Sequence, residues 1–181
     1  MRDPRNGFWV FGYGSLIWRP GFEALRAERA RLPGWRRSFC LKSIRYRGTP
    51  EAPGLVLGLD SDPDCACEGV AYQVGAETAE ATLAYLRARE LVTYAYREEV
   101  APAALVSGET VDALIYVVDR AHPQYAGALP LAEQAAIIAR SVGPMGPNRD
   151  YLRETARSLA EWGLSDPEIA RLDALVHALT G

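Results

Sequence analysis

Two stretches of this chain carry residue types that can do chemistry. In the first, Trp9-Val10-Phe11-Gly12-Tyr13-Gly14-Ser15-Leu16, an aromatic and β-branched run ends in two glycines and a serine. Successive backbone N–H groups turned inward by such a loop bind an anion without a cationic side chain. A carboxylate suits a cradle of that size, and the Ser15 hydroxyl adds a donor. The plainer alternative is that the glycines only let the chain turn between two core segments. Other glycine-bearing signatures do not fit. Ile17 stands where a dinucleotide fingerprint needs its third glycine. The Gly-Lys-Ser/Thr of a phosphate-binding P-loop is absent, and a nucleophile elbow needs glycines where Tyr13 and Ile17 stand.

The second stretch, "LAYLRARELVTY", holds Glu90. Ala79, Leu83 and Leu86 recur at helical steps, and the next step lands on Glu90. A glutamate thus falls on the core-facing stripe of its helix, in the last turn. Burial and the negative end of the helix dipole both raise a carboxyl pKa, while Arg87, three residues earlier, is placed to oppose them. A glutamate tuned toward neutrality suits general acid and base work. The alternative is a helix that ends earlier and leaves Glu90 solvated in a loop. Glu98 and Glu99, beside Arg97, read as solvated strand-edge residues. His122 falls in a loop and His177 in an amphipathic helix, so both read as structural, and Ser15 has no evident base. An anion cradle and a tuned glutamate, without a metal, cysteine or serine nucleophile, suggest a substrate that brings its own nucleophile. Intramolecular attack in a well-held geometry gains up to about 7–11 kcal/mol of barrier.

Positioning these residues requires a folded domain, and the chain is long enough to build one. Its 181 residues (19.8 kDa) suggest a single domain over 1–181, and 49% hydrophobic with 24% charged residues is ordinary globular composition. A net charge of −3 gives no electrostatic reason to expect nucleic acid. No apolar run approaches the roughly 20 residues of a membrane span, and the opening "MRDPRNGF" has no apolar signal core. Three cysteines, Cys40, Cys65 and Cys67, make no disulfide framework and point to the cytoplasm. Cys65 and Cys67 with only two histidines in the chain do not complete a standard zinc set. The expectation is no metal and no cofactor, with Cys65 in an acidic turn and Cys67 opening a strand. Oligomeric state is left open.

The first half reads as strands over 9–13, 37–46, 55–59 and 69–74, separated by "RGTPEAPG" and "DSDPD". A helix over 76–90 follows, then strands over 94–100 and 111–118. The last third is helical: from Pro130 to the Gly143-Pro144 stop, from an Asn148 cap to Gly163, and from a Ser165/Glu168 capping box onward. Strands followed by helices favour an α+β fold, here a curved or barrel-like sheet with helices on its outside.

"WVFGYGSLIWRPGF", "RELVTY", "YVVDRAHPQYAG" and "VGPMGPNRDYL", in that order over Trp9 to Leu152, together resemble the ChaC-type γ-glutamylcyclotransferases. The resemblance implies a small mixed β-barrel with flanking helices. It also implies a reaction, the splitting of glutathione into 5-oxoproline and Cys-Gly as the γ-glutamyl α-amine attacks the γ-carbonyl. Glu90 matches the family's catalytic glutamate, and Val10, Phe11, Gly12, Tyr13, Gly14, Ser15 and Leu16 match its substrate-binding loop. Tyr151 matches a tyrosine of the last motif, with substrate contact and core packing as equal readings. Arg45 and Arg47 are candidate partners for the glycine carboxylate of glutathione, or surface strand arginines. One departure is that Leu55 follows Gly54 where relatives often carry arginine, which bears on substrate range. Alternatives within this resemblance are a cyclotransferase for another γ-glutamyl amino acid or amine, and a non-catalytic γ-glutamyl-binding module. A nucleotide binder is suggested only by the two glycines.

Overall fold

The computed structural model describes residues 6–181. Residues 1–5, the start of the "MRDPRNGF" stretch, lie outside the described residues. The elements in chain order are β1 (Phe8–Gly12), β2 (Arg26–Ser43), β3 (Gly54–Val74), α1 (Ala79–Glu90), β4 (Tyr96–Leu105) and β5 (Thr110–Val118). Then come α2 (Leu131–Arg140), β6 (Val142–Gly143), β7 (Gly146–Pro147), α3 (Asn148–Glu161) and α4 (Pro167–Thr180). The fold is α+β. The five long strands close into a barrel in the order β1-β3-β2-β4-β5. β1 runs antiparallel to β3, from Phe8↔Val74 to Gly12↔Val70, and parallel to β5 through Trp9↔Ala113 and Val10↔Leu114.

Three strands run beyond their sequence signals. β4 spans Tyr96–Leu105 where 94–100 is expected. β2 begins at Arg26, not at 37, and passes through Pro33-Gly34. The overlooked signal is alternation, since Ala30 and Leu32 are buried between exposed Arg29, Arg31 and Pro33. β3 is one strand through "DSDPD" where two were expected, so Cys65 and Cys67 both lie inside it rather than in and after a turn. Within that stretch Ser61, Pro63 and Asp64 face solvent, Asp62 is half-buried and Asp60 is buried.

The chain divides into two compact units. The first, described over residues 6–37 and 59–119, holds β1, α1, β4, β5 and parts of β2 and β3. Its core includes Val10, Phe11, Leu32, Leu59, Val70, Leu86 and Ile115, all fully buried. Each such side chain contributes about 1.5–3 kcal/mol through the area it removes from water. β5, "TVDALIYVV", is buried at every position from Ala113 to Val118, as its continuous apolar run requires.

The second unit, residues 38–58 and 120–181, holds the remaining parts of β2 and β3, the β6–β7 hairpin and α2 to α4. Phe39, Leu55, Leu57, Ile138, Leu152 and Leu172 fill its core. Two helix starts differ from expectation. Asn148 is the first residue of α3 rather than its cap, and its buried amide bonds Leu55 instead. Its Oδ1 accepts from the Leu55 N–H at 2.7 Å, and its Nδ2 donates to the Leu55 carbonyl at 2.7 Å. Asp166, not Ser165, caps α4 and accepts from the Ile169 N–H at 3.1 Å, with Pro167 in the first helical position.

Candidate active site

Glu90 is the last residue of α1, and its side chain is 16% exposed. Of the stripe read from sequence, Ala79 and Leu86 are buried and Leu83 is half-buried, with Thr82 buried beside it; Glu90 is turned inward with them. Burial pushes its carboxyl pKa up, and a neighbouring guanidinium opposes that rise. The guanidinium belongs to Arg89, not to Arg87. Arg89 Nε lies 3.0 Å from Glu90 Oε1. Arg87 instead grips Glu98 on β4, with Nη2 at 2.6 Å from Oε1 and Nε at 2.9 Å from Oε2. Glu98 is therefore not a solvated edge residue. The Arg87 hydrogen bonds hold its pKa below the ordinary value, against a smaller upward push from burial. Tyr116 of β5, almost fully buried, donates its hydroxyl to Glu98 Oε2 at 3.3 Å. Burial pushes the Tyr116 phenol up, and the Glu98 and Glu90 carboxylates add to that push. Glu90 thus shares an electrostatic neighbourhood with β5.

The loop that follows β1 comes to the same place. Val10 and Phe11 are fully buried, and Gly12, Tyr13, Gly14 and Leu16 are buried as well. Tyr13 turns its hydroxyl onto the Tyr116 carbonyl at 2.9 Å. Neither Gly12 nor Gly14 takes a left-handed φ, and the loop closes as a helical turn. Ile17 N–H donates to the Gly14 carbonyl at 2.9 Å and Arg19 N–H to the Ser15 carbonyl at 2.8 Å. The N–H groups that open such a turn have no acceptor within it and carry its positive end. Close packing rather than handedness favours glycine at 12. A Cβ there would sit 3.2 Å from both Leu16 Cβ and Tyr72 Cε2. Tyr72, its phenol pushed up to about 12 by burial, donates to the Leu16 and Ile17 carbonyls at 3.2 and 3.3 Å.

Arg89 joins helix end and loop. Its Nη2 donates to Ser15 Oγ at 2.9 Å while Nε faces Glu90. Ser15 and Glu90, 75 positions apart in sequence, thereby share one guanidinium. Three supporting residues were not evident from sequence. Besides Arg89, these are Arg37 and Gly69. Arg37 of β2 is buried and donates Nε to the Tyr13 carbonyl at 2.6 Å and Nη2 to the Glu68 carbonyl. Gly69 lies under β1, where a Cβ would come 2.4 Å from the Gly12 carbonyl oxygen. The available signals were an arginine leading the apolar run Phe39-Cys40-Leu41 and a glycine inside a strand.

Tyr151 belongs to the second unit. Its half-buried ring meets Phe39 edge-on at 5.9 Å, and Arg47 lies 5.9 Å from its centroid. Arg47 also donates Nη1 to the Pro147 carbonyl at 3.1 Å, whereas Arg45 is exposed. Leu55, which follows Gly54, is buried. His122 is half-buried in its loop and accepts from the Gln124 N–H at 3.2 Å, while His177 is exposed on α4.

The closed-barrel α+β fold is that of the γ-glutamyl cyclotransferases. A crystal structure of a selenomethionine-labelled yeast γ-glutamyl cyclotransferase specific to glutathione superposes with a TM-score of 0.87. It is 26% identical in sequence, with 96% of each chain covered. The chain belongs to the ChaC-like protein family, whose pattern matches residues 8–179. Among its relatives, a glutathione-specific γ-glutamylcyclotransferase of Escherichia coli is 37% identical over 165 residues, covering 91% of this chain and 71% of the relative. γ-Glutamylcyclotransferase 2-3 of Arabidopsis thaliana is 34% identical over 175 residues, covering 91% and 85%. No helix among the described residues is long and apolar enough to cross a membrane.

Proposed function

We propose that this protein degrades glutathione by cyclotransfer, releasing 5-oxoproline and Cys-Gly, with Glu90 as the proton carrier. One observation carries the reading beyond family membership. A single buried carboxyl stands at the end of α1, tied through Arg89 to the loop whose amides can take an anion. The γ-glutamyl α-carboxylate binds at the Val10–Leu16 loop, which turns the adjacent α-ammonium toward Glu90. Ionised Glu90 removes a proton, and the freed lone pair attacks the γ-carbonyl carbon. The new C–N bond closes the five-membered ring and the old amide C–N bond breaks. Glu90 returns the proton to the departing nitrogen, which cannot leave as an anion. The second proton lost by the ring nitrogen follows the same route, so Cys-Gly departs with a protonated amine. A carboxyl with a raised pKa suits this cycle, because it holds a proton for the departing nitrogen better than an exposed one, while the Arg89 charge favours its base form. Loop amides not engaged by the carboxylate stabilise the oxyanion that forms on the γ-carbonyl. The three free cysteines fit a reducing cytoplasm, where we place the enzyme.

The test is incubation of the purified protein with glutathione, following 5-oxoproline and Cys-Gly together. Glu90→Gln keeps size and hydrogen bonding but removes the proton carrier, and turnover is expected to fall by about 10²–10⁴-fold. Release of 5-oxoproline from another γ-glutamyl donor but not from glutathione overturns the substrate. A Gln variant within threefold of the native rate overturns the role of Glu90.

A further inference from the structure

Arg89 is engaged through all three nitrogens of its guanidinium. Nε faces Glu90 Oε1 at 3.0 Å, and Nη2 donates to Ser15 Oγ at 2.9 Å. Nη1 donates to Tyr85 Oη at 2.9 Å, to the Pro20 carbonyl at 3.3 Å and to the Arg19 carbonyl. Its side chain is 19% exposed, so the charge is shielded from water and its contacts are fixed from several directions. Nε and Nη2 lie on one edge of the planar guanidinium, the edge that arginine uses for two-point recognition. Glu90 and Ser15 occupy that edge together. A negative carboxylate and a positive guanidinium therefore stand side by side at the mouth of the loop.

A γ-glutamyl group presents the complementary pair, an ammonium and a carboxylate on one α-carbon. We propose that Arg89 is a positioning residue that holds the Glu90 carboxylate and the Ser15 loop in register to receive that zwitterion. This rests on the role given to Glu90 above. The substrate ammonium then meets Glu90, and its carboxylate meets Ser15 and the loop amides with the Arg89 charge behind them. Without Arg89 two things change. The carboxylate loses the group that fixes its orientation. It also loses the positive charge that favours its ionised, base form against burial. The charged and titratable groups around Glu90 are Arg89 and Tyr85 on α1 and Tyr116 on β5. Glu98 on β4 acts through Tyr116 and is itself neutralised by Arg87. Arg89 is the cation in direct contact with the Glu90 carboxylate.

The experiment is the pH dependence of kcat/KM for the full-length protein with Arg89→Met, Arg89→Lys and Glu90→Gln, with glutathione as substrate and circular dichroism as the folding control. Arg89→Met is expected to lower kcat by about 10²-fold, the size of effect produced by misplacing a catalytic group by roughly an ångström. Its acidic limb should move to higher pH, a readout that a purely structural role does not move. Arg89→Lys keeps the charge, so its acidic limb should stay in place. An ammonium cannot span both Glu90 and Ser15 as the planar fork does, so its kcat should still fall by about tenfold or more. If Arg89→Met does not fold, the Lys variant decides alone, and native kcat in that variant overturns the proposal. An Arg89→Met variant with an unmoved acidic limb and kcat within threefold of native overturns it as well. An inactive Glu90→Gln beside native-like Arg89 variants removes only the role of Arg89. An active Glu90→Gln removes the reading on which it rests.

Discussion

Replacing Arg37 by Met tests whether the loop is held from beneath by a buried cation. The side chain is 6% exposed and comes from β2, and its Nε reaches the Tyr13 carbonyl at 2.6 Å while Nη2 reaches the Glu68 carbonyl. Methionine fills a similar length without donors, so both carbonyls lose this partner. The buried Tyr13 carbonyl left without its donor costs about 1–3 kcal/mol, and the part-buried Glu68 carbonyl, which water can reach, adds from nothing to as much again, which gives about 1–6 kcal/mol for the pair. A domain of this size loses about 2–4 °C in Tm per kcal/mol, so the expected fall is about 2–24 °C. Arg37→Lys reaches one carbonyl but not both, and should lose about half as much.

Urea titration of the three proteins, with the m-value checked for constancy, measures the effect directly. A loss below about 1 kcal/mol for Arg37→Met, within the range of ordinary surface substitutions, refutes the reasoning. It would mean that other groups satisfy both carbonyls. The variant should also show a raised KM for glutathione once corrected for the folded fraction, because the Tyr13 carbonyl lies within the loop assigned to the substrate.

Two further predictions rest on polar groups in different parts of the chain. Asn148→Asp should destabilise by about 2–4 kcal/mol at neutral pH, since a carboxylate oxygen replaces the donor that faces the Leu55 carbonyl; the loss should shrink at acid pH as the protonated acid regains a donor, and denaturation across pH checks both. Glu98→Gln should cost no more than about 1 kcal/mol, because its partner Arg87 is 42% exposed and solvent screens the pair. Its sign with pH is fixed by the direction of the shift. The folded-state pKa of Glu98 is depressed, so its contribution is present above the ordinary value of 4.5 and is lost as pH falls through the folded value. Native protein and Glu98→Gln should therefore differ in Tm at neutral pH and converge at acid pH.

What could be read from sequence depended on whether the signal was periodic or spatial. The α1 stripe that carries Glu90 inward is a spacing of three and four residues, and the glycine loop is a local composition, so both are visible in one dimension. β2 begins at Arg26 rather than 37 because a strand residue facing solvent, as Pro33 does, can be proline without loss of the core. β3 runs unbroken through "DSDPD" with Pro63 facing solvent in the same way. Asn148 reads as a cap because asparagine favours that position, but its amide matches the backbone of Leu55, 93 residues away. No local pattern marks such a pairing. Arg89 was overlooked because helical spacing offered Arg87 as the partner of Glu90, and Arg87 has a better one in Glu98 on β4.

The tuning of Glu90 has the same dependence on distant residues. One carboxyl that accepts a proton from an ammonium and returns it to a leaving amide must be neither a strong acid nor a permanently protonated group. Burial at the end of α1 alone favours the protonated form, which cannot take a proton from the ammonium. Free exposure leaves it ionised at neutral pH, where it rarely holds a proton to give. Arg89 supplies the opposing pull, and Ser15, Tyr85 and the Arg19 and Pro20 carbonyls keep that guanidinium in place. Under the role proposed for Glu90, its proton chemistry depends on α1 and the β1 loop taken together. Substitutions in the loop at Ser15 should then move the pH profile of turnover, although they change no titrating group.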